Sequence, residues 1–166
     1  MTAPAADVGT LKRTTDGFEG VLTRQFDHDG AAVWRMLTDP PSMAQWLASG
    51  SIELREGGAV RIDFADSGIL IDSRVTAFED QRVLAYSWSS GSEPERPLRF
   101  ELVPQDGGTQ LTLTVRVPAS EDAAKACAGF EGHLDMLAAA LEGVPIKFPF
   151  ERFLQARAAY KEQLGA

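Results

Sequence analysis

The sequence predicts an α+β domain: an antiparallel sheet of about six to seven strands, covered on one face by a long helix near the C-terminus. Three observations carry that prediction. Between residues 51 and 118, apolar side chains recur at every second position in successive short runs, the period of strands with one buried face. Turn-forming residues separate those runs at short intervals, so consecutive strands fold back on one another. After Pro118 the period changes. Ala123, Cys127, Phe130, Leu134, Leu137 and Leu141 recur at three- and four-residue steps, the stripe of a helix with one apolar side.

Residues 1–8 carry no periodic pattern and are expected to be a flexible tail. "GTLKRTTDGFEGVLTRQF" holds two extended runs around Asp16-Gly17, a pair suited to a hairpin; in the second, Leu22 and Phe26 share a face with Arg24 between them. "VWRMLTDPPSMAQWL" reads as two short helices meeting at Asp39-Pro40-Pro41. The residue before a proline is biased away from helix, so the first helix ends near Thr38. Asp39 is placed to cap the second helix through its carboxylate, and Pro40 suits the first helical position, where no N–H is needed.

Gly57-Gly58 then turns between strands, the second of which sets Val60, Ile62 and Phe64 on one face. "GILIDSRVTAF" adds a further strand. The alternation continues through Leu84, Tyr86 and Trp88; Leu98, Phe100 and Leu102; and Leu111, Leu113, Val115 and Val117. Ser120 is placed to cap the long helix, with Glu121 and Asp122 in a first turn that favours negative charge. Gly143 and Pro145 end it. "PFERFLQARAAYKEQLG" is expected to form a docked amphipathic helix, with Phe150, Phe153, Leu154, Tyr160 and Leu164 as its apolar contacts. The organisation expected is a tail over 1–8, one domain over 9–145 and a packed helical extension over 146–166.

Length and charge bound the function. A chain of 166 residues fits one domain with a sizeable core. Its 16 basic and 24 acidic side chains give a net charge of −8, which disfavours nucleic acid and anionic membrane surfaces as partners. No apolar run approaches the roughly 20 residues of a membrane span, so no membrane insertion is expected. The N-terminus shows no apolar signal segment, and the single cysteine, Cys127, excludes an internal disulfide; both point to the cytoplasm. With His28 and His133 the only histidines and one thiol, no His/Cys zinc set assembles. His28 falls in a loop and reads as a surface residue, and Cys127 on the apolar stripe reads as a packed core thiol. Neither a Gly-x-Ser-x-Gly elbow nor a phosphate-binding glycine loop occurs. No catalytic residue, metal or cofactor is expected.

In order and spacing, a set of short motifs resembles one known family. They are "VWRMLTDP" followed by Trp46, "REGG" opening a strand, Gly68 opening the next, "RVLAYSW", "GGTQLTL", and "GF…L..L" in the long helix. The family is that of the homologues of the activator of the heat-shock protein 90 ATPase, within the START-like (SRPBCC) superfamily. The resemblance covers about residues 10 to 143. It implies a helix-grip fold, in which a curved sheet grips the long helix and the two short helices close one end, with Trp34 and Trp46 as the plug. It also implies a groove between sheet and helix that holds apolar or aromatic small molecules. The chain departs from the family at Gly30, where a proline is usual, and at Gly129-Phe130, where Gly-Trp is usual; the second changes the wall that the helix presents to the sheet.

Within that groove the alternation selects Phe64, Tyr86, Trp88 and Phe100 from the sheet, facing Phe130, His133, Leu134 and Leu137 from the helix. Asp72, Arg74 and His133 are polar groups placed to reach the space, whereas Arg99 and Glu101 alternate onto the opposite face. Gly129 and Gly132 sit inside the helix, where each glycine costs about 1 kcal/mol relative to alanine. They leave two readings, close approach to the sheet or room for a ligand; on the second, Gly132→Leu would close the groove. Large aromatics filling the space completely is the competing outcome.

Three functions follow. The first, favoured here, is non-enzymatic binding of a small hydrophobic molecule. The second is a chaperone-regulating interaction, which rests on the family name. In the eukaryotic proteins that carry that name this domain is one of two, and a stable chaperone complex is not expected of this chain. The third is a cyclase or hydrolase of the same superfamily, for which the sequence shows no constellation. A homodimer is left open.

Overall fold

Among the described residues (8–64, 68–91 and 94–165), the computed structural model contains eight strands and four helices. They run β1 (Thr10–Arg13), β2 (Gly17–Phe26), α1 (Gly30–Thr38), α2 (Pro40–Met43), β3 (Ser49–Ile52), β4 (Ala59–Phe64), β5 (Ile69–Glu79), β6 (Val83–Ser87), β7 (Pro97–Gln105), β8 (Gly108–Pro118), α3 (Ala123–Leu141) and α4 (Phe150–Gln163). All eight strands lie in one antiparallel sheet of order β1-β2-β8-β7-β6-β5-β4-β3. The count exceeds the expected six to seven because four-residue strands, β1 and β3, extend both edges. From β3 to β8 each strand pairs with its successor, and β2 closes against β8, so α1 and α2 carry the chain from one side of the sheet to the other. Among the described residues no helix is long and apolar enough to cross a membrane.

Helix α3 lies over the inner face, burying Cys127, Ala128, Phe130, Leu134 and Leu137 in one core with Leu22, Ile62, Tyr86, Phe100 and Leu113. The close approach falls on a strand glycine: a Cβ at Gly20 would lie 2.5 Å from Cys127 Sγ. Desolvation, reinforced by the charge of Glu131, pushes the Cys127 thiol up to about 12. The thiolate is the reactive form. Cys127 is therefore expected to be inert to a thiol reagent at pH 8 in the native protein and to react stoichiometrically in denaturant; native-state labelling at the unfolded rate would contradict this packing.

At the Asp-Pro-Pro corner the first helix ends at Thr38 and Pro40 takes the first position of α2. Asp39 stands at the N-cap, but its carboxylate accepts from the Ser42 hydroxyl (2.9 Å) and caps no backbone N–H. Both tryptophans are buried: Trp34 packs against Phe78 at 6.1 Å, and the Trp46 indole N–H donates to the Met36 carbonyl at 2.6 Å. At the start of α3 the expected cap moves by two residues. Asp122, not Ser120, accepts from the Lys125 N–H, and Glu121 lies outside the helix in a bidentate pair with Arg96. The Glu121 N–H closes a turn onto the Pro118 carbonyl, which holds residues 119–121 out of the helix.

Helix α4 docks on α3 and β1 through Ala156 and Tyr160, which are buried, with Phe153 and Leu164 half-buried. Phe150 and Leu154, expected among its apolar contacts, are 61% and 48% exposed. Phe150 keeps one apolar contact, its ring stacking on that of Phe153 at 5.8 Å.

Candidate functional site

The space between sheet and α3 divides into a solid half and an open half. Tyr86, Phe100, Leu134 and Leu137 belong to the solid half: each is 2% exposed or less. Tyr86 and Phe100 sit on adjacent strands with ring centroids 6.2 Å apart, and they fill the interior rather than line a cavity. Beyond Tyr86 the packing opens beside the first turns of α3. There a groove of about 520 Å³ is lined by Phe64, Ile69, Trp88, Phe130, His133 and Phe153, with Gly129 in its wall and Glu121, Asp122 and Lys125 at its rim. Four of the eight residues expected to line a pocket therefore come together at this opening: Phe64, Trp88, Phe130 and His133.

Their rings meet edge to face. Trp88 stands 5.3 Å from Phe130 and 5.8 Å from Phe64, at interplanar angles of 69° and 79°. Phe64 is 6.2 Å from His133, which in turn is 5.2 Å from Phe148. These are the separations at which aromatic quadrupoles attract, so the wall is held by its own ring contacts before any ligand enters.

His133 is the polar group of the wall. Its Nδ1 lies 2.8 Å from the Trp46 carbonyl, which ties the ring to the end of the corner region. Burial lowers its pKa from the ordinary histidine value, outweighing the hydrogen bond to Trp46 that raises it, so the imidazole is neutral at pH 7. Asp72 and Arg74 do not join it. Alternation along β5 turns Ile71 and Val75 inward and places both charged side chains on the outer face, in a separate depression with Ser73, Ser87 and Ser89. Arg99 and Glu101 pair with each other on that outer side at 3.1 Å.

The two helix glycines have different reasons. A Cβ at Gly132 would lie 2.6 Å from the Phe148 ring, so this glycine admits the chain that follows α3 rather than a ligand. Gly132→Leu would therefore displace Phe148. Gly129 meets nothing within 4 Å and opens onto the groove.

Ile69 and Phe153 line the groove without having been assigned to it from sequence, whereas Gly129 is one of the two helix glycines read there as possible room for a ligand. Phe153 reaches it because α4 is anchored by a buried ionic cluster. Glu131, 1% exposed, accepts from Arg24 (2.7 Å), from the Gly9 N–H (2.8 Å) and from the Tyr160 hydroxyl. Arg24 also holds Asp135 at 2.8 Å, and Arg152 of α4 approaches Glu131 at 3.5 Å. The signal was present in β2: Leu22, Arg24 and Phe26 share parity, so an arginine faces the core and must find a carboxylate there. A wider depression of about 730 Å³ lies among Arg82, Pro104, Gln105 and Asp106, and its lining holds no aromatic ring. Among the described residues no group of three or more His, Cys, Asp or Glu side chains could hold a metal ion.

An eight-stranded antiparallel sheet, a long helix across its inner face and two short helices at one end define the helix-grip class, a ligand-binding fold. The model of the activator of Hsp90 ATPase homolog 1-like family matches residues 27–142, and the chain belongs to that family. Among solved structures it is similar to CalU16 from Micromonospora echinospora, with TM-score 0.78 and 19% identity over 95% of this chain and 96% of that one. A protein encoded by BPP1335 from Bordetella parapertussis is similar at TM-score 0.73 and 26% identity, over 99% and 96% of the two chains. DynU16, a protein in the dynemicin biosynthetic locus, is 29% identical over 76% of this chain, which spans 48% of DynU16, with TM-score 0.70. No curated protein matches. Phe153 lies outside the family match, so part of the groove wall comes from the segment that follows the matched residues.

Proposed function

We propose that this protein binds a small apolar or aromatic molecule in the groove between the sheet and α3, without transforming it. The observation that carries this reading is the opening itself: about 520 Å³, ringed by Phe64, Trp88, Phe130, His133 and Phe153. Ligand sites typically occupy roughly 300–1,000 Å³ and combine apolar walls with few polar groups. DynU16's place in a biosynthetic locus supports a role beside small-molecule chemistry. Because Phe153 lines the groove, the extension over 146–166 belongs to the binding unit rather than beside it. The single cysteine, which can form no internal disulfide, supports a reducing compartment such as the cytoplasm.

The test is Gly129→Leu, titrated with the neutral fluorophore N-phenyl-1-naphthylamine. The wild-type protein is expected to bind the probe saturably with one site, and the variant to lose at least tenfold in affinity. Its unfolding midpoint should stay unchanged or rise, since removing a glycine from a helix interior gains about 0.5–1 kcal/mol. A wild-type protein that leaves the probe's emission unchanged would end this reading.

A further inference from the structure

The hydrogen bond between His133 and Trp46 decides what kind of group a ligand must offer. A peptide carbonyl can only accept, so at 2.8 Å the proton of that bond sits on Nδ1 of His133. The imidazole is neutral, because burial disfavours its charged form. In a neutral ring with Nδ1 protonated, Nε2 carries the lone pair. Among the described residues Nε2 has no hydrogen-bond partner, and the ring that bears it forms part of the groove wall. The aromatic opening therefore presents one directional acceptor. Its rim carboxylates are already engaged, Glu121 with Arg96 and Asp122 with Arg157.

We infer that the groove selects a neutral aromatic alcohol, a phenol or its fused-ring equivalent, whose ring packs among Phe64, Trp88 and Phe130 while its hydroxyl donates to Nε2 of His133. The inference rests on the binding reading above and adds the chemistry of the ligand. An aryl ether or ketone would set its own lone pairs against that of Nε2 and leave the nitrogen unsatisfied, which is the costly arrangement in a low-dielectric wall. A phenol satisfies both partners. The Trp46 carbonyl acts as a positioning group: by fixing the tautomer it makes His133 an acceptor rather than a donor.

The experiment compares 2-naphthol with 2-methoxynaphthalene, which share a ring system and differ in the ability to donate. Each displaces N-phenyl-1-naphthylamine from the full-length protein at pH 7. The 15N resonances of the His133 imidazole are followed in parallel. The expected result is displacement by 2-naphthol at about tenfold lower concentration than by the ether, the scale of one buried hydrogen bond. His133→Phe should bring the two ligands together. In the free protein Nδ1 should resonate as the protonated nitrogen, and only 2-naphthol should move the Nε2 signal. Equal displacement by both compounds, or a proton found on Nε2, overturns this inference and leaves the binding reading standing. If the probe and both naphthalenes fail to bind, both fall. Should His133→Phe not fold, the spectra and the ligand pair on the wild-type protein still decide.

Discussion

Glu131→Ala is expected to destabilise the protein by about 3–5 kcal/mol, the range for removing one member of a buried charge pair. The carboxylate is 1% exposed and collects donors from three distant parts of the chain: Arg24 of β2, the Gly9 N–H beside β1, and Tyr160 and Arg152 of α4. Alanine leaves Arg24 with Asp135 and the residue-131 backbone carbonyl, and removes the carboxylate that, among the described residues, receives the Tyr160 hydroxyl proton. Tyr160 is wholly buried, so its hydroxyl has no water to turn to. Urea unfolding monitored by circular dichroism measures the loss. Native-state amide exchange should show β1 and α4 opening first, because both meet at this carboxylate. A change below about 1 kcal/mol, the value for an exposed pair, would mean that the cluster is hydrated and does not anchor the extension.

Trp46→Ala should cost a comparable amount, about 3–5 kcal/mol, the range for truncating a buried large aromatic. Trp46 is 2% exposed, and its indole N–H donates to the Met36 carbonyl near the end of α1. Truncation opens a cavity at the closed end of the sheet and strips that carbonyl of its donor. Trp46→Phe should recover part of the loss through packing but not the hydrogen bond. Thermal unfolding of the three proteins separates the two contributions. A mild effect from alanine, under about 1 kcal/mol, would show that the corner collapses freely and does not plug the fold.

Much of the architecture is local information. The β-period of Val60 and Ile62, and of Leu111, Leu113, Val115 and Val117, states which side of each strand is buried, and those residues are indeed buried. Pro40 stops α1 and starts α2 because a ring without an N–H fits only one of those positions. Cys127 and Leu134 fall on the stripe that packs, one helical repeat at a time. Such patterns act over a few residues, so they can be read without knowing what lies opposite.

The groove is not local in that sense. Tyr86 and Trp88 have the same parity on neighbouring positions of one run, yet the first is sealed in the core and the second stands at an opening. What separates them is the arrival of other segments: Phe100 beside Tyr86, and α4 with Phe153 near Trp88. Gly132 is explained by Phe148, which follows it by a full helix end and a turn. Arg24 and Glu131, 107 positions apart, define each other's state only once β2 and α3 pack. The sequence by itself determined the sheet, the covering helix, the corner and the polarity of each face, because hydrophobic periodicity and turn chemistry are written in adjacent residues. Tertiary structure alone decided where the inner face is filled and where it opens, because that balance of volume depends on side chains brought together from across the chain.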